Sequence, residues 1–498
     1  MKKIMYLPLD ERPCNASFPV QLFSDALEIA TPPVLGTKKT PARWEDLRSF
    51  LEREAPGADG LVLSMDMLLY GGLIPSRLHH LTREEVCGRL DWLRTLKARY
   101  PSLMIYAFQC IMRCPRYSSD EEEPDYYAQC GREIFLLGDA RHREQLGLCG
   151  RDELERLSQS VPDAALDDYL SRREFNLNMN LASLELVRDG VIDFLIFPQD
   201  DAAPYGFTAM DQEKVRERIR EKRIGAKVLL YPGADELGLT VMSRMLLRLE
   251  NRSPRVYVKM ASVLGADMIP PYEDRPLGET IRYHLIAAGC RLASSLSEAE
   301  LVLGVTFPGC PGREVTDLEG ARREYEIHRN LPEFLLFLED ALERGIPVTV
   351  ADNAYANGGD PDLISLMDQR GLLARIQGYA GWNTSSNTRG TAVAEGVHAL
   401  TRGITPAHRD FLALRYVEDA GYCAEVRRDV ADNDLPRLNY NYFNVGAQRG
   451  EVSAIVGEKL RAYVRRELGS IADRIEIQDV WMPWVRSFEV GLKVHWKE

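Results

Sequence analysis

Residues 193–201 read DFLIFPQDD: an apolar run that stops in two adjacent aspartates. Neighbouring residues of a regular strand point to opposite faces, and two neighbouring carboxylates repel. Asp200 and Asp201 therefore mark the place where a buried strand leaves its pleat. Beyond that point both side chains are free to turn toward one pocket.

The same pattern recurs along the chain. Eight further runs are apolar throughout rather than alternating, as strands covered on both faces should be. They are KIMYLPLD (3–10), GLVLSMD (60–66), LMIYAFQ (103–109), KVLLYPGADE (227–236), RVYVKMA (255–261), ELVLGVTF (300–307), PVTVADNAYANGG (347–359) and RIQGYAGWN (375–383). Helical patterns lie between them, such as REEVCGRLDWLRTLKARY and LPEFLLFLEDALERG. Strand–helix alternation implies a parallel α/β sheet. The expected architecture is a TIM-barrel-like (β/α)8 main domain over residues 1–404, with an α+β appendage over 405–498. The appendage carries two helical patterns and then two strands around a turn at Pro483. Periodicity alone leaves a second fold open, a pair of doubly wound α/β domains with a cleft.

Composition narrows the function. The chain has 498 residues, of which 45% are hydrophobic and 28% charged, so it can bury a large core. A net charge of −13 argues against nucleic acid and anionic membranes as partners. The first apolar run is broken by Asp10 and Glu11, too early for a signal-peptide core. No apolar stretch approaches the roughly 20 residues of a membrane helix. A cytoplasmic protein is expected, and its oligomeric state is open. Nine scattered cysteines and eight histidines show neither a disulfide framework nor a zinc spacing, so no cofactor is expected.

The strand ends carry the candidate chemistry, because the C-terminal ends of parallel strands form the active face in both barrels and open sheets. They supply Asp10 and Arg12, Asp66, Asp200 and Asp201, Glu236, Asp352 and Asn353, and Asn383. Close carboxylates split their pKa values, yielding one acid and one anion near neutral pH. Tyr355, Asn357, Trp382 and the amides of Asn353 and Asn383 suit a sugar: flat faces for its ring, donors and acceptors for its hydroxyls or an acetamido group. The bland alternatives are helix caps, turn asparagines and, for Arg12, a structural ion pair. Asn176, Asn178 and Asn180 lie in a helical pattern where asparagine is a mediocre former, so one or two are expected to face the site. The acidic loop DEEEPD (120–125) reads as solvated.

The segments LIFPQDDAAPYG, LLYPGADE, VTVADNAYANGGD and GYAGWN resemble the strand ends of the O-GlcNAcase and hyaluronidase-like β-N-acetylglucosaminidases. That resemblance implies a glycosidase acting on N-acetylhexosaminides by substrate-assisted retention. Asp200 would orient the substrate acetamide, Asp201 would be the general acid and base, and Asn353 and Asn383 would hold the sugar. The aspartate that ends that family's strand-seven turn falls at Gly358 here, and its strand-two lysine is missing. Across the complete chain, the YLPLDERPCN opening and the AGWNTSSNT segment resemble a family of uncharacterised bacterial proteins defined by a domain of unknown function. Three rival readings stand beside the first. They are a two-carboxylate glycosidase using Asp201 with Glu236, a metal-dependent hydrolase with Asp66, Asp200 and Asp352 around Mg²⁺ or Mn²⁺, and a non-catalytic glycan-binding protein.

Overall fold

In the computed structural model, which describes residues 1–497, all nine apolar runs contain strands. They do not close into a (β/α)8 barrel. They separate into two open parallel sheets, one of six strands and one of five. The chain accordingly divides into two compact units. The first holds Met1–Glu11, Leu27–Gly238 and Tyr272–Asp274; the second holds Arg12–Ala26, Leu239–Pro271 and Arg275–Glu498.

The sheet of the first unit runs in the order Leu27–Ala30, Lys2–Leu7, Gly60–Ser64, Met104–Phe108, Phe194–Gln199, Val228–Pro232, all parallel. The chain starts in an inner strand, steps outward to one edge, then returns and crosses to the other. This is the doubly wound pattern, and its strand order reverses between Lys2–Leu7 and Gly60–Ser64. The strands Gly60–Ser64 and Phe194–Gln199 are buried at every position. That explains why their sequences are continuously apolar: helices cover both faces. The helix Arg83–Arg99 starts at a Thr82–Glu85 capping box, and the 26-residue helix Asp163–Arg188 brings Asn176 and Asn180 against the Ser76 and Cys110 carbonyls.

The second unit repeats the order. Its sheet runs Arg291–Leu292, Arg255–Met260, Leu301–Val305, Val348–Ala351, Gly378–Ala380. Numbered within each sheet, both begin 2-1-3-4-5 from one edge. The two short outer strands, Leu27–Ala30 and Arg291–Leu292, are four and two residues long, too brief to register as apolar runs. Residues 405–498 fall inside the second unit, where the expected strands form an antiparallel hairpin, Ile475–Trp481 with Gly491–Trp496. The charged segment after Thr405 begins as the α-helix Pro406–Arg415 but then widens into a π-helix over Tyr416–Val426, a form rarely sustained beyond one turn. Among the described residues, no helix is long and apolar enough to cross a membrane.

Candidate functional site

The site of the first unit grows out of three strand ends. After Phe194–Gln199 the backbone turns sharply: Asp201 has φ 48°, the left-handed region that an L-residue other than Asn or Asp seldom occupies. This turn is how two adjacent carboxylates come to one place. Arg113 Nη1 donates to Asp200 at 3.2 Å and to Asp201 at 3.1 Å. Arg113 follows the strand Met104–Phe108, and its carbonyl oxygen is pinned by the Tyr169 hydroxyl and by Arg173, which is itself paired with Asp211. Arg77 arrives from the Gly71–Gly72 turn, where both glycines have positive φ, and donates to Asp200 at 3.0 Å. A Cβ on Gly71 would stand 2.7 Å from the Ala42 carbonyl oxygen, so only glycine fits there.

Two more carboxylates complete the cluster, and they come from the DEEEPD loop expected to be solvated. Glu123 is 1% exposed and accepts from Arg113 Nε at 2.7 Å and Arg77 Nη1 at 3.2 Å. Glu122 accepts from Arg113 Nη2 at 2.9 Å. Nothing in the local pattern separates these glutamates from their exposed neighbour Asp125; only the arrival of two buried arginines recruits them. Four carboxylates against two guanidiniums leave the cluster with an excess of negative charge. Burial first, and the Asp200 carboxyl second, push Asp201 up to about 7 against the opposing pull of Arg113 and Arg77.

Beside Asp200 opens a recess lined by Asp66, Tyr70, Arg77, Gln109, Asn176 and Asn180, among others. Two of the three helix asparagines thus reach it. Asp66 ends the run GLVLSMD, is 2% exposed, and accepts one hydrogen bond from the Cys110 amide at 2.8 Å. Burial pushes its carboxyl up to about 7. His79 fixes the asparagine beside it. The Leu81 amide donates to His79 Nδ1, so Nε2 carries the proton that Asn176 Oδ1 accepts at 3.2 Å, and Asn176 Nδ2 then donates to the Ser76 carbonyl.

The chain matches, over residues 4–493, the family model described as "Protein of unknown function (DUF4127)". The chain belongs to the DUF4127 family. That bears out the resemblance to a domain-of-unknown-function family. No curated protein matches the DUF4127 chain.

The remaining predicted site residues are distributed differently from the expectation. In the DUF4127 chain Asp10 is buried at the end of the first strand of unit one, and Glu236, also fully buried, accepts from the Ala234 amide of its own turn at 2.9 Å. Neither lines the recess. Arg12, Asp352, Asn353, Tyr355, Asn357, Trp382 and Asn383 all belong to the second unit. There Arg12 lies over the Trp484 ring at 4.6 Å and 3.5 Å from Glu489, so the buried ion pair describes it. Asp352 accepts from the Thr306 and Tyr379 hydroxyls, both at 2.9 Å, and from the Asp360 amide at 2.6 Å. Burial and the neighbouring Asp360 raise it to about 6. Asn353 donates to Ser385 Oγ at 2.7 Å, and the Asn383 carbonyl accepts from the Asn357 amide at 2.7 Å. Asn357 and Asn383 have φ of 65° and 50°, the turn role that asparagine fills in the left-handed region. Trp382 is edge-on to Phe18 and donates its indole proton to Thr391 at 3.1 Å, and the Tyr355 ring packs 4.9 Å from Tyr325; both are core residues here. Gly358 also has a structural reason: a Cβ there would lie 3.0 Å from the Cys423–Ala424 backbone of the π-helix. Among the described residues no three His, Cys, Asp or Glu side chains are grouped so as to hold a metal ion.

Proposed function

We propose that this DUF4127 protein is a glycoside hydrolase working at the strand ends of its first unit, with Asp201 as the general acid. The observation that supports this is Asp201, a carboxyl pushed up to about 7 beside the arginine-paired Asp200. Asp201 keeps its proton to about pH 7 because it is 15% exposed and beside a second carboxyl, while Asp200 faces two guanidinium groups. A neutral carboxyl next to a fixed anion is the pair that glycosidic cleavage requires. Asp201 protonates the departing oxygen, Asp200 stabilises the positive charge that develops at the anomeric carbon, and a water molecule bonds to that carbon and gives its proton back to the Asp201 carboxylate. The buried frame of Arg77, Arg113 and Glu123 holds both carboxylates so that no reorganisation is needed as charge develops. The reading retains Asp201 in the role that the resemblance implies and makes no use of Asn353 or Asn383.

The test is leaving-group dependence. Asp201→Asn should lower kcat by roughly 10² to 10⁴-fold on glycosides with poor leaving groups, and far less on activated aryl glycosides that depart without a proton. In the parent, kcat should fall as pH rises through about 7, because the acid is then lost. Equal losses on both substrate types, or no turnover of a broad glycoside panel between pH 5 and 8, refute the proposal.

A further inference from the structure

The inner end of the recess has a chemistry of its own. Tyr70 is 3% exposed and Gln109 1%; both line the recess, and the Tyr70 hydroxyl and Gln109 Oε1 have no hydrogen-bond partner among the described residues. Buried polar atoms are nearly always paired, so two unpaired ones facing a single recess indicate an absent partner, and Gln109 Oε1 can only accept. Asp66 adds a carboxyl that, among the described residues, has no lysine or arginine within ion-pair distance, since the Arg77 guanidinium is engaged by Asp200, Glu122 and Glu123. Three donors nearby are turned away: Asn176 Nδ2 to the Ser76 carbonyl, Asn180 Nδ2 to the Cys110 carbonyl, and the Cys110 amide to Asp66 itself.

A ligand group entering here meets acceptors and an excess of negative charge. A hydroxyl satisfies part of this. An acetamide could accept only from the neutral Tyr70 hydroxyl or the Gln109 amide, and it brings no charge to compensate Asp66. A protonated primary amine donates three hydrogen bonds, accepts none and carries the compensating charge.

We infer that the inner recess, formed by Asp66, Tyr70 and Gln109, is a subsite for a primary ammonium group, so that the sugar bound is an amino sugar with its amine free. The word "sugar" rests on the glycosidase reading; the ammonium subsite does not.

The experiment is calorimetric titration of the full chain at pH 7.5 with glucosamine, N-acetylglucosamine, glucose and the simple ammonium probe 2-aminoethanol. Glucosamine should bind at least tenfold more tightly than N-acetylglucosamine or glucose, and 2-aminoethanol should compete with it. Asp66→Asn should erase that preference, and Tyr70→Phe, which removes only the hydroxyl, should weaken glucosamine binding severalfold. Asp201→Asn should leave the preference intact, which separates this subsite from the cleavage chemistry. Equal binding of the sugars, a preference for the acetamide, a preference that survives Asp66→Asn, or no binding of either amine overturns the inference. The leaving-group test decides the glycosidase reading independently.

Discussion

Asp66→Asn converts the burial of one carboxyl into a measurable pH dependence of stability. The carboxyl is 2% exposed and titrates at about 7 in the folded chain, against 3.8 for an ordinary aspartate. Between these values the folded state holds a proton that the unfolded chain has released, so stability falls as pH rises from about 4 to about 7 and then levels. At roughly 1.4 kcal/mol per pKa unit, the full loss is on the order of 4 kcal/mol. The groups that face Asp66 are the Arg77 guanidinium, the Cys110 thiol and amide, and the Tyr70 hydroxyl. Only Arg77 favours the ionised form through its charge, and it is committed to other carboxylates. Asparagine keeps the oxygen that accepts from Cys110 and has no charge to desolvate. The variant should therefore be more stable than the parent, and its advantage should grow by about 2–3 kcal/mol between pH 5 and pH 8. For a unit of this size that is a change of roughly 5–10 °C in the difference between the two melting temperatures. Thermal and urea unfolding of parent and variant across pH 4.5–8.5 provide the assay, with the transition of the first unit followed separately because two units need not melt together. Parallel stability–pH curves would refute the argument, as would a variant less stable than the parent at pH 8.

Arg113→Met should cost roughly 3–5 kcal/mol in urea unfolding, because it leaves Glu123 without one of its two guanidinium partners and removes the donor that Asp200 and Asp201 share. Arg113→Lys should recover little of this, since one ammonium cannot serve four carboxylates in a fork, and full recovery would contradict the geometry. Gly358→Asp, which reinstates the aspartate of the glycosidase-like turn, should destabilise the second unit by about 1–3 kcal/mol, because its Cβ meets main-chain atoms of Cys423 and Ala424 at 3.0 Å. An unchanged unfolding midpoint would show that the π-helix yields to the side chain.

The strands were legible because being buried on both faces leaves a local signature, a short apolar run ending in polar residues. All nine runs contain strands, and the polar end of DFLIFPQDD is where the candidate acid stands. What a run does not encode is its neighbour. Whether Val228–Pro232 pairs with Arg255–Met260 to continue one barrel, or ends a sheet as it does here, depends on edges that meet only after the chain has collapsed. The site divides along the same line. Asp200, Asp201 and Asp66 were marked by their places at strand ends, and Asn176 and Asn180 by the presence of asparagine in a helix. Glu122 and Glu123 carried no such mark, since a glutamate in an acidic loop looks solvated until two buried arginines draw it in. Asn353, Asn383 and Trp382 occupy the same kind of strand end, yet Asn353 Nδ2, the Asn383 carbonyl and the Trp382 indole N–H are spent on Ser385, Asn357 and Thr391, which leaves Asn353 Oδ1 buried and unpaired among the described residues. Local pattern sets which residues end a strand; long-range contacts set which of those ends keep polar atoms for a ligand, because a hydrogen bond made within the chain is no longer available to one.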